Sequence, residues 1–338
     1  MIYIRILFIN NKMNSKNTAT YNNDLSAIAR TRILTDRNLV TKDQKGYNES
    51  DIFFDFNDHS ILDNNFKILT IGSNDINNPY FGGFFVFSGK FPDQYPFFPP
   101  YILAKTQGKN TRFHPNYYTN GKCCLSILGT WSGPPWTSCQ NLGTTSQALK
   151  SLFIDNPITQ EPGFENCNDQ RSINYSKVVE YRTLEIAVIN VLNNPTEEFN
   201  SFLPIIEKKF IEFYPKYIEK LNLLKKYNKM KISSPIYNIG LCMDIVYNIK
   251  ELENQFINTY NNLLSKHNIT PSLTSNTMIF SKTEKNLNNK ILKKTKKCPN
   301  ESANNYDIGF TKISDNDGKT WKVIQDINKK IKWVKYSI

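Results

Sequence analysis

Two adjacent thiols, Cys123 and Cys124, lie in a stretch that suits no regular element, between Asn120-Gly121-Lys122 and Leu125-Ser126-Ile127-Leu128-Gly129. A cysteine thiol can be a strong nucleophile, and its characteristic chemistry is acyl transfer through a covalent intermediate. A cysteine is as often a small buried apolar side chain, so the pair by itself leaves the two roles unassigned. The polar, Gly- and Asn-rich surroundings predict an accessible thiol at Cys124. Neighbours in a strand-like segment point to opposite faces, so an outward Cys124 predicts an inward Cys123. Ten residues before Cys124, His114 suggests a base for a cysteine hydrolase. That chemistry needs a third group to orient the imidazole, and no such group is identifiable. His59 and His267 are the only other histidines, and a structural His114 is the favoured reading.

Composition narrows the field. The six cysteines form no C-x-x-C pair, which argues against a disulfide framework or a structural zinc and for a reducing compartment. The opening Met1–Asn10 is apolar but short, is broken by Arg5, and lacks a small-residue cleavage site. No other stretch approaches bilayer length. The expectation is a soluble intracellular protein, cytoplasmic or nuclear. The net charge of +12 comes from 42 basic and 30 acidic residues, and residues 281–297 alone hold seven Lys and one Glu. Such a run is read as a solvated flexible segment before a partner site. A nucleic-acid-binding protein would instead carry an aromatic-studded basic face in its folded part.

Around the thiols the order of short motifs becomes specific. Phe91-Pro92-Asp93-Gln94-Tyr95-Pro96-Phe97-Phe98-Pro99-Pro100 follows a strand and predicts a rigid, extended connection, because proline fixes φ and withholds a donor. Then come His114-Pro115-Asn116, a Cys124-Leu125 pair eight residues after that Asn, Trp136, and Glu161-Pro162-Gly163-Phe164. This chain resembles the ubiquitin-conjugating enzymes. The segments C-L-S-I-L-G-T-W-S-G-P-P-W from Cys124 and E-P-G-F-E at 161–165 are similar to the Z-type members, and the likeness spans roughly residues 22–225.

The resemblance implies that Cys124 carries ubiquitin, or a ubiquitin-like modifier, as a thioester and passes it to a lysine. It places Asn116 beside the thiol, either stabilising the tetrahedral oxyanion or bracing the loop. It places Glu161 beside the incoming lysine, where a solvated loop carboxylate is the alternative. Arg30, Arg32 and Arg37 fall on the helix that meets the activating enzyme; Pro96, Phe97, Trp136 and Cys139 fall on the ligase-facing loops. Trp136-Thr137-Ser138 departs from the family's Trp-Ser-Pro. Trp131 and Gly133-Pro134-Pro135 read as an enlarged cleft wall or a packed loop. ATP is used by the activating enzyme upstream, so neither cofactor nor metal is expected. A non-catalytic ubiquitin-binding variant of the fold would lack the nucleophile, and Cys124 in register with Asn116 argues against it.

The elements that must hold these residues follow an α+β order. Asp24 caps a helix with Leu25, Ile28, Ala29 and Ile33 inward. Strands are predicted over Ile52–Phe56, Phe66–Ile71, Phe84–Phe87 and Tyr101–Ala104, forming a meander. Phe113–Pro135 is a long loop, of the kind that is usually functional. Helices follow over Cys139–Asp155, Ser172–Leu192, Glu197–Tyr227 and roughly Ile236–Leu264. The expected organisation is a disordered lead-in at 1–21, a ubiquitin-conjugating (UBC) catalytic domain at 22–170, a helical extension at 171–266, and a basic flexible tail at 267–338 with a hairpin over Phe310–Ile324.

Overall fold

The computed structural model describes residues 25–56, 64–237, 241–269, 303–313, 320–325 and 331–335. The expected lead-in, the capping Asp24 and the lysine-rich run at 281–297 lie outside the described residues. The chain divides into two compact units, Met1–His267 and Asn268–Ile338.

The first unit opens with α1 (Ala27–Lys42), capped by Ser26, whose hydroxyl accepts from the Ala29 N–H at 3.1 Å. Its inward stripe is Ala29, Ile33, Asp36 and Val40. Ile28 was expected inward but is 58% exposed. The stripe at this spacing includes a carboxylate, which disguises its register when only apolar residues are counted. The short α2 (Gln44–Glu49) leads into β1 (Ile52–Phe56), β2 (Asn65–Ile71), β3 (Phe84–Lys90) and β4 (Tyr101–Ala104). They form an antiparallel meander in sequence order, with Phe54 opposite Ile68, Leu69 opposite Val86 and Phe87 opposite Ala104.

Both sheet faces are covered, so the strands read as nearly continuous apolar runs. On one face Phe85 and Phe87 meet the rings of Phe113, Phe153 and Tyr117. On the other, Ser88 donates to the Glu198 carboxylate at 2.7 Å, and Lys105 pairs with the same group at 2.9 Å. The helix expected over 139–155 is shorter. This α3 spans Leu142–Lys150 and starts at a capping box of Asn141 and Thr144. The proline-rich segment is a series of turns, not an extended connection, and its Tyr95–Pro96 peptide is cis.

Beyond the sheet, α4 (Gln170–Arg182) widens into a π-helical stretch (Thr183–Asn190) and ends in α5 (Val191–Asn193). A 3₁₀ turn (Glu197–Phe202) precedes α6 (Leu203–Leu224), whose Phe210 and Tyr217 pack on Phe256. Tyr217 donates to the Gly82 carbonyl at 2.7 Å. Gly82 has φ of +64°, and a Cβ there would fall 2.5 Å from the Tyr217 ring, so both backbone and space require glycine. The helix expected from Ile236 is corrected in its first part. Residues there form a hairpin of β5 (Lys231–Tyr237) and β6 (Leu241–Val246), and only then α7 (Ile249–Lys266). Ile232, Ser234, Met243 and Ile245 are buried in strict alternation, a period-two pattern that an eye set for helices passes over. The register shifts between Ser234 and Tyr237, around Pro235, where proline cannot join a ladder.

The second unit holds β7 (Thr311–Ile313), β8 (Thr320–Gln325) and β9 (Ile331–Lys335) in one antiparallel sheet. The expected hairpin gains a third strand, in which Lys332 and Lys335 interrupt the run of Ile331, Trp333 and Val334 and dilute the strand signal. Tyr306 stacks on Phe310 and meets Trp333.

The buried Asp36 joins three elements. Its carboxylate accepts from Arg32 Nε at 2.7 Å, from the Leu142 N–H at 3.1 Å, and from the Tyr95 hydroxyl. Removing a buried charged partner strands its donors and typically costs 3–5 kcal/mol. Asp36→Ala is expected to lower the unfolding free energy by about 3 kcal/mol in chemical denaturation. A loss below about 1 kcal/mol would show that water replaces the carboxylate.

Candidate active site

The long loop brings its parts together through backbone pairs. The Cys124 N–H donates to the Asn116 carbonyl at 2.8 Å, and the Asn116 side-chain amide donates back to the Cys124 carbonyl at 2.6 Å. Asn116 therefore clamps the residue bearing the thiol from both sides of its backbone, and its Oδ1 is buried with no partner. Thr130 closes the far side, donating to the Cys123 carbonyl at 2.7 Å and accepting from the Leu125 N–H at 3.0 Å. Gly121, with φ of +89°, makes the tight return in which Tyr118 and Lys122 pair.

The thiols differ in their surroundings. Cys123 faces the core as expected and donates to the Gly121 carbonyl at 3.6 Å; burial pushes its pKa up to about 12. It is a poor nucleophile on that account. The expectation of an open thiol at Cys124 is corrected, since the residue is only 2% exposed. A polar loop does not guarantee access when its own side chains fold over it. Tyr118 lies beside Cys124, and burial, then the neighbouring thiol, raise the phenol above its usual range. The Arg112 guanidinium lies 3.9 Å from the Tyr118 ring centroid and 3.8 Å from the Glu161 carboxylate. Neither Arg112 nor Tyr118 stood out in the sequence; the one signal was a cation two residues before His114 in a loop that becomes core.

Residues 36–183 match the family model for ubiquitin-conjugating enzyme. Over 153 residues the chain is 40% identical to ubiquitin-conjugating enzyme E2 Z of Xenopus tropicalis and 39% identical to that of Homo sapiens. These alignments cover 45% of this chain and 49% and 43% of those proteins. Over 215 residues it is 33% identical to the dual E2 ubiquitin-conjugating enzyme/E3 ubiquitin-protein ligase BIRC6 of Mus musculus, covering 60% of this chain and 4% of that protein. Residues 36–183 are a ubiquitin-conjugating domain. The chain spans about half the length of the curated E2 Z relatives it matches. The sheet and helices described above are the α+β UBC architecture, with helices added C-terminally.

The outer residues of this conjugating domain have distinct placements. Phe97 is 63% exposed and Cys139 is exposed, both on turns tied to α1. Pro96 is buried, so its side chain offers no contact; its carbonyl accepts from the Trp136 indole at 2.7 Å. Arg32 is engaged within the chain, donating to the Ser138 and Gln140 carbonyls at 2.6 and 2.5 Å. Arg30 donates to the Leu25 carbonyl at 2.9 Å, and Arg37 lies over the Phe56 ring at 4.6 Å. Trp131 and Gly133-Pro134-Pro135 are exposed, which removes the packed-loop alternative. Among the described residues no cluster of His, Cys, Asp or Glu is placed to hold a metal ion, and no helix is long and apolar enough to cross a membrane.

His114 is buried, and its Nδ1 accepts from the Asn116 N–H at 3.0 Å. Burial, helped by Arg112, pulls its pKa down to about 3. It is neutral at any working pH and its lone pair is occupied, so it braces the clamp and cannot deprotonate Cys124. The unfolded chain takes up a proton on this residue below about pH 6.5 and the folded chain does not, so stability falls as pH drops through that window toward 3. At pH 5 this amounts to about 2 kcal/mol. Asparagine can still accept from the Asn116 N–H but does not titrate. Wild type is therefore expected to lose about 2 kcal/mol more than His114→Asn between pH 7 and 5, read by denaturant unfolding. Equal losses would assign the acid sensitivity elsewhere.

Proposed function

We propose that the chain is a ubiquitin-conjugating enzyme that takes ubiquitin, or a ubiquitin-like modifier, from an activating enzyme onto Cys124 and delivers it to a lysine. The observation that supports this most is the Asn116 clamp on Cys124 inside a conjugating domain. In the first step the Cys124 thiolate attacks the modifier's thioester carbonyl. A new C–S bond forms, the old one breaks, and the activating enzyme's thiolate leaves. In the second, a lysine nitrogen attacks the same carbonyl. A C–N bond forms, the Cys124 C–S bond breaks, and the amine's proton passes to solvent. Neither step needs metal or cofactor, because the acyl group arrives already activated. Ligases would meet the face of Phe97, Trp136 and Cys139. The activating enzyme would meet the exposed side of α1, the helix that carries Arg30 and Arg37.

Charging tests this directly. Incubation with ATP, activating enzyme and ubiquitin is expected to add one ubiquitin that thiol reductant removes. Cys124→Ser should give at most a reductant-resistant oxyester, and Cys123→Ser should charge like wild type. Charging that depends on Cys123 and survives Cys124→Ser would overturn the assignment.

Asn116 is read as serving both steps unequally. Thiolate exchange between like thiols asks little of an oxyanion donor, whereas a neutral amine builds a charged tetrahedral centre. Released from the Cys124 carbonyl, the amide has a short path to that oxygen. Asn116→Ala should slow single-turnover discharge to lysine about 10²-fold and charging only a few-fold. The lost clamp should lower stability by about 1 kcal/mol. Equal losses in both steps would leave Asn116 as a brace alone.

A further inference from the structure

Arg112 has an unusual station for a cation. It is 5% exposed and lies two residues before His114. Its Nε donates to the Pro115 carbonyl at 3.1 Å and a terminal nitrogen donates to the same oxygen, so the guanidinium is gripped in plane. Its face carries the Tyr118 ring at 3.9 Å, and its edge meets Glu161 at 3.8 Å. Its backbone is held from the C-terminal addition: the N–H donates to Met243 Sδ at 3.2 Å on β6, and the carbonyl accepts from the Tyr175 hydroxyl at 2.8 Å on α4.

A guanidinium is planar and rigid, so it can stack and pair at once, whereas a lysine ammonium is a point charge on a flexible stem. We propose that Arg112 is a positioning residue for the lysine-accepting step, holding the Tyr118 ring and the Glu161 carboxylate in one fixed frame. The α4 helix and the β5–β6 hairpin preset that frame through Tyr175 and Met243. The reason lies in the nucleophile. A lysine arrives as a hydrated cation on a long stem and must be oriented and shed its proton as it attacks. A phenol and a carboxylate fixed beside the thioester select its approach; the same groups on loose loops do not. Arg112 acts through those two. Without it the Pro115 carbonyl, Tyr118 and Glu161 lose a shared partner. Misplacing a positioning group by about 1 Å can cost up to 10²-fold.

This inference rests on the function proposed above, and the test separates the two. Full-length protein is charged with ubiquitin, and single-turnover discharge is followed to lysine and to hydroxylamine, a small neutral nucleophile that needs little orienting. Arg112→Lys keeps the charge but loses the stack and the planar grip. It is expected to slow lysine discharge about 10-fold and hydroxylamine discharge less than about 2-fold. In a Tyr118→Ala background, Arg112→Lys should add less than about 2-fold, because both changes break one unit. Tyr175→Phe, which removes only the hydroxyl on the Arg112 carbonyl, should show the same selective loss at about 3-fold, and it stands in should Arg112→Lys fail to fold. Wild-type lysine rates in these variants, equal slowing of both nucleophiles, or full compounding with Tyr118→Ala would overturn the role of Arg112 and leave the proposed function intact. Failure of the wild-type chain to charge on Cys124 would instead overturn the proposed function.

Discussion

A thiol can be held in an irregular loop only if the polar backbone groups around it are satisfied without a ladder to supply partners. Here that constraint is met by backbone pairs within the loop, and tyrosine hydroxyls then tie the loop and its flank to the surrounding elements. Tyr80 donates to the Phe113 carbonyl at 2.7 Å, Tyr175 to that of Arg112 at 2.8 Å, and Tyr117, inside the loop, to that of Leu149 at 2.6 Å. Each tyrosine buries a large ring and spends its hydroxyl on one carbonyl. Burial drives Tyr117 well above the ordinary phenol range, so it remains a donor throughout. The Asn116 clamp then needs to fix only one residue, Cys124, within a frame that is already rigid.

The same economy sets the outer surface. Asp36 receives the first N–H of α3, and a carboxylate at a helix N-terminus is favoured by the helix dipole. Through Arg32 it also fixes Ser138 and Gln140, and through Tyr95 the turn that carries Phe97. Desolvation, then the bond to Asp36, raise the Tyr95 phenol far above its usual range. The apolar side chain presented outward at Phe97 thus stands on a buried polar network. Such networks specify one geometry when every member is satisfied. The cation expected to greet a partner became one of the staples.

Much of this was legible from residue types and spacing. The four strands of the sheet could be read because their apolar runs are bounded by turn residues, and the thiol loop because its motifs recur in a fixed order. What escaped was of two kinds. The β5–β6 hairpin has a period of two, but its Ser234 and Asp244 interrupt the apolar signal and helices flank it on both sides. Asp36 and Arg112 are charged residues that end up buried, and a pattern search files charges as surface. Near neighbours meet part of each charge, Arg32 for Asp36 and Pro115 and Tyr118 for Arg112, and the rest is met by partners distant in sequence: Tyr95 and Leu142 on Asp36, Glu161 on Arg112. Such pairings are a property of the tertiary fold, and no local window contains them.

An acyl-transfer enzyme built on a thioester faces a conflict that a hydrolase does not. Water is always nearer and more abundant than the acceptor amine, so a strong base beside the thioester would waste the intermediate. The arrangement around Cys124 is consistent with that demand. The nearest imidazole in sequence is buried, neutral and already accepting a hydrogen bond, so it has no free lone pair to activate water. The neighbouring thiol is held protonated by burial and cannot compete for the acyl group. What remains close to Cys124 is an amide, a phenol and, through Arg112, a carboxylate paired to a guanidinium. These are groups that orient and solvate rather than abstract. On the proposed reading, selectivity for amine over water then comes from geometry, because only a nucleophile long enough to be positioned gains from a site that supplies no basicity.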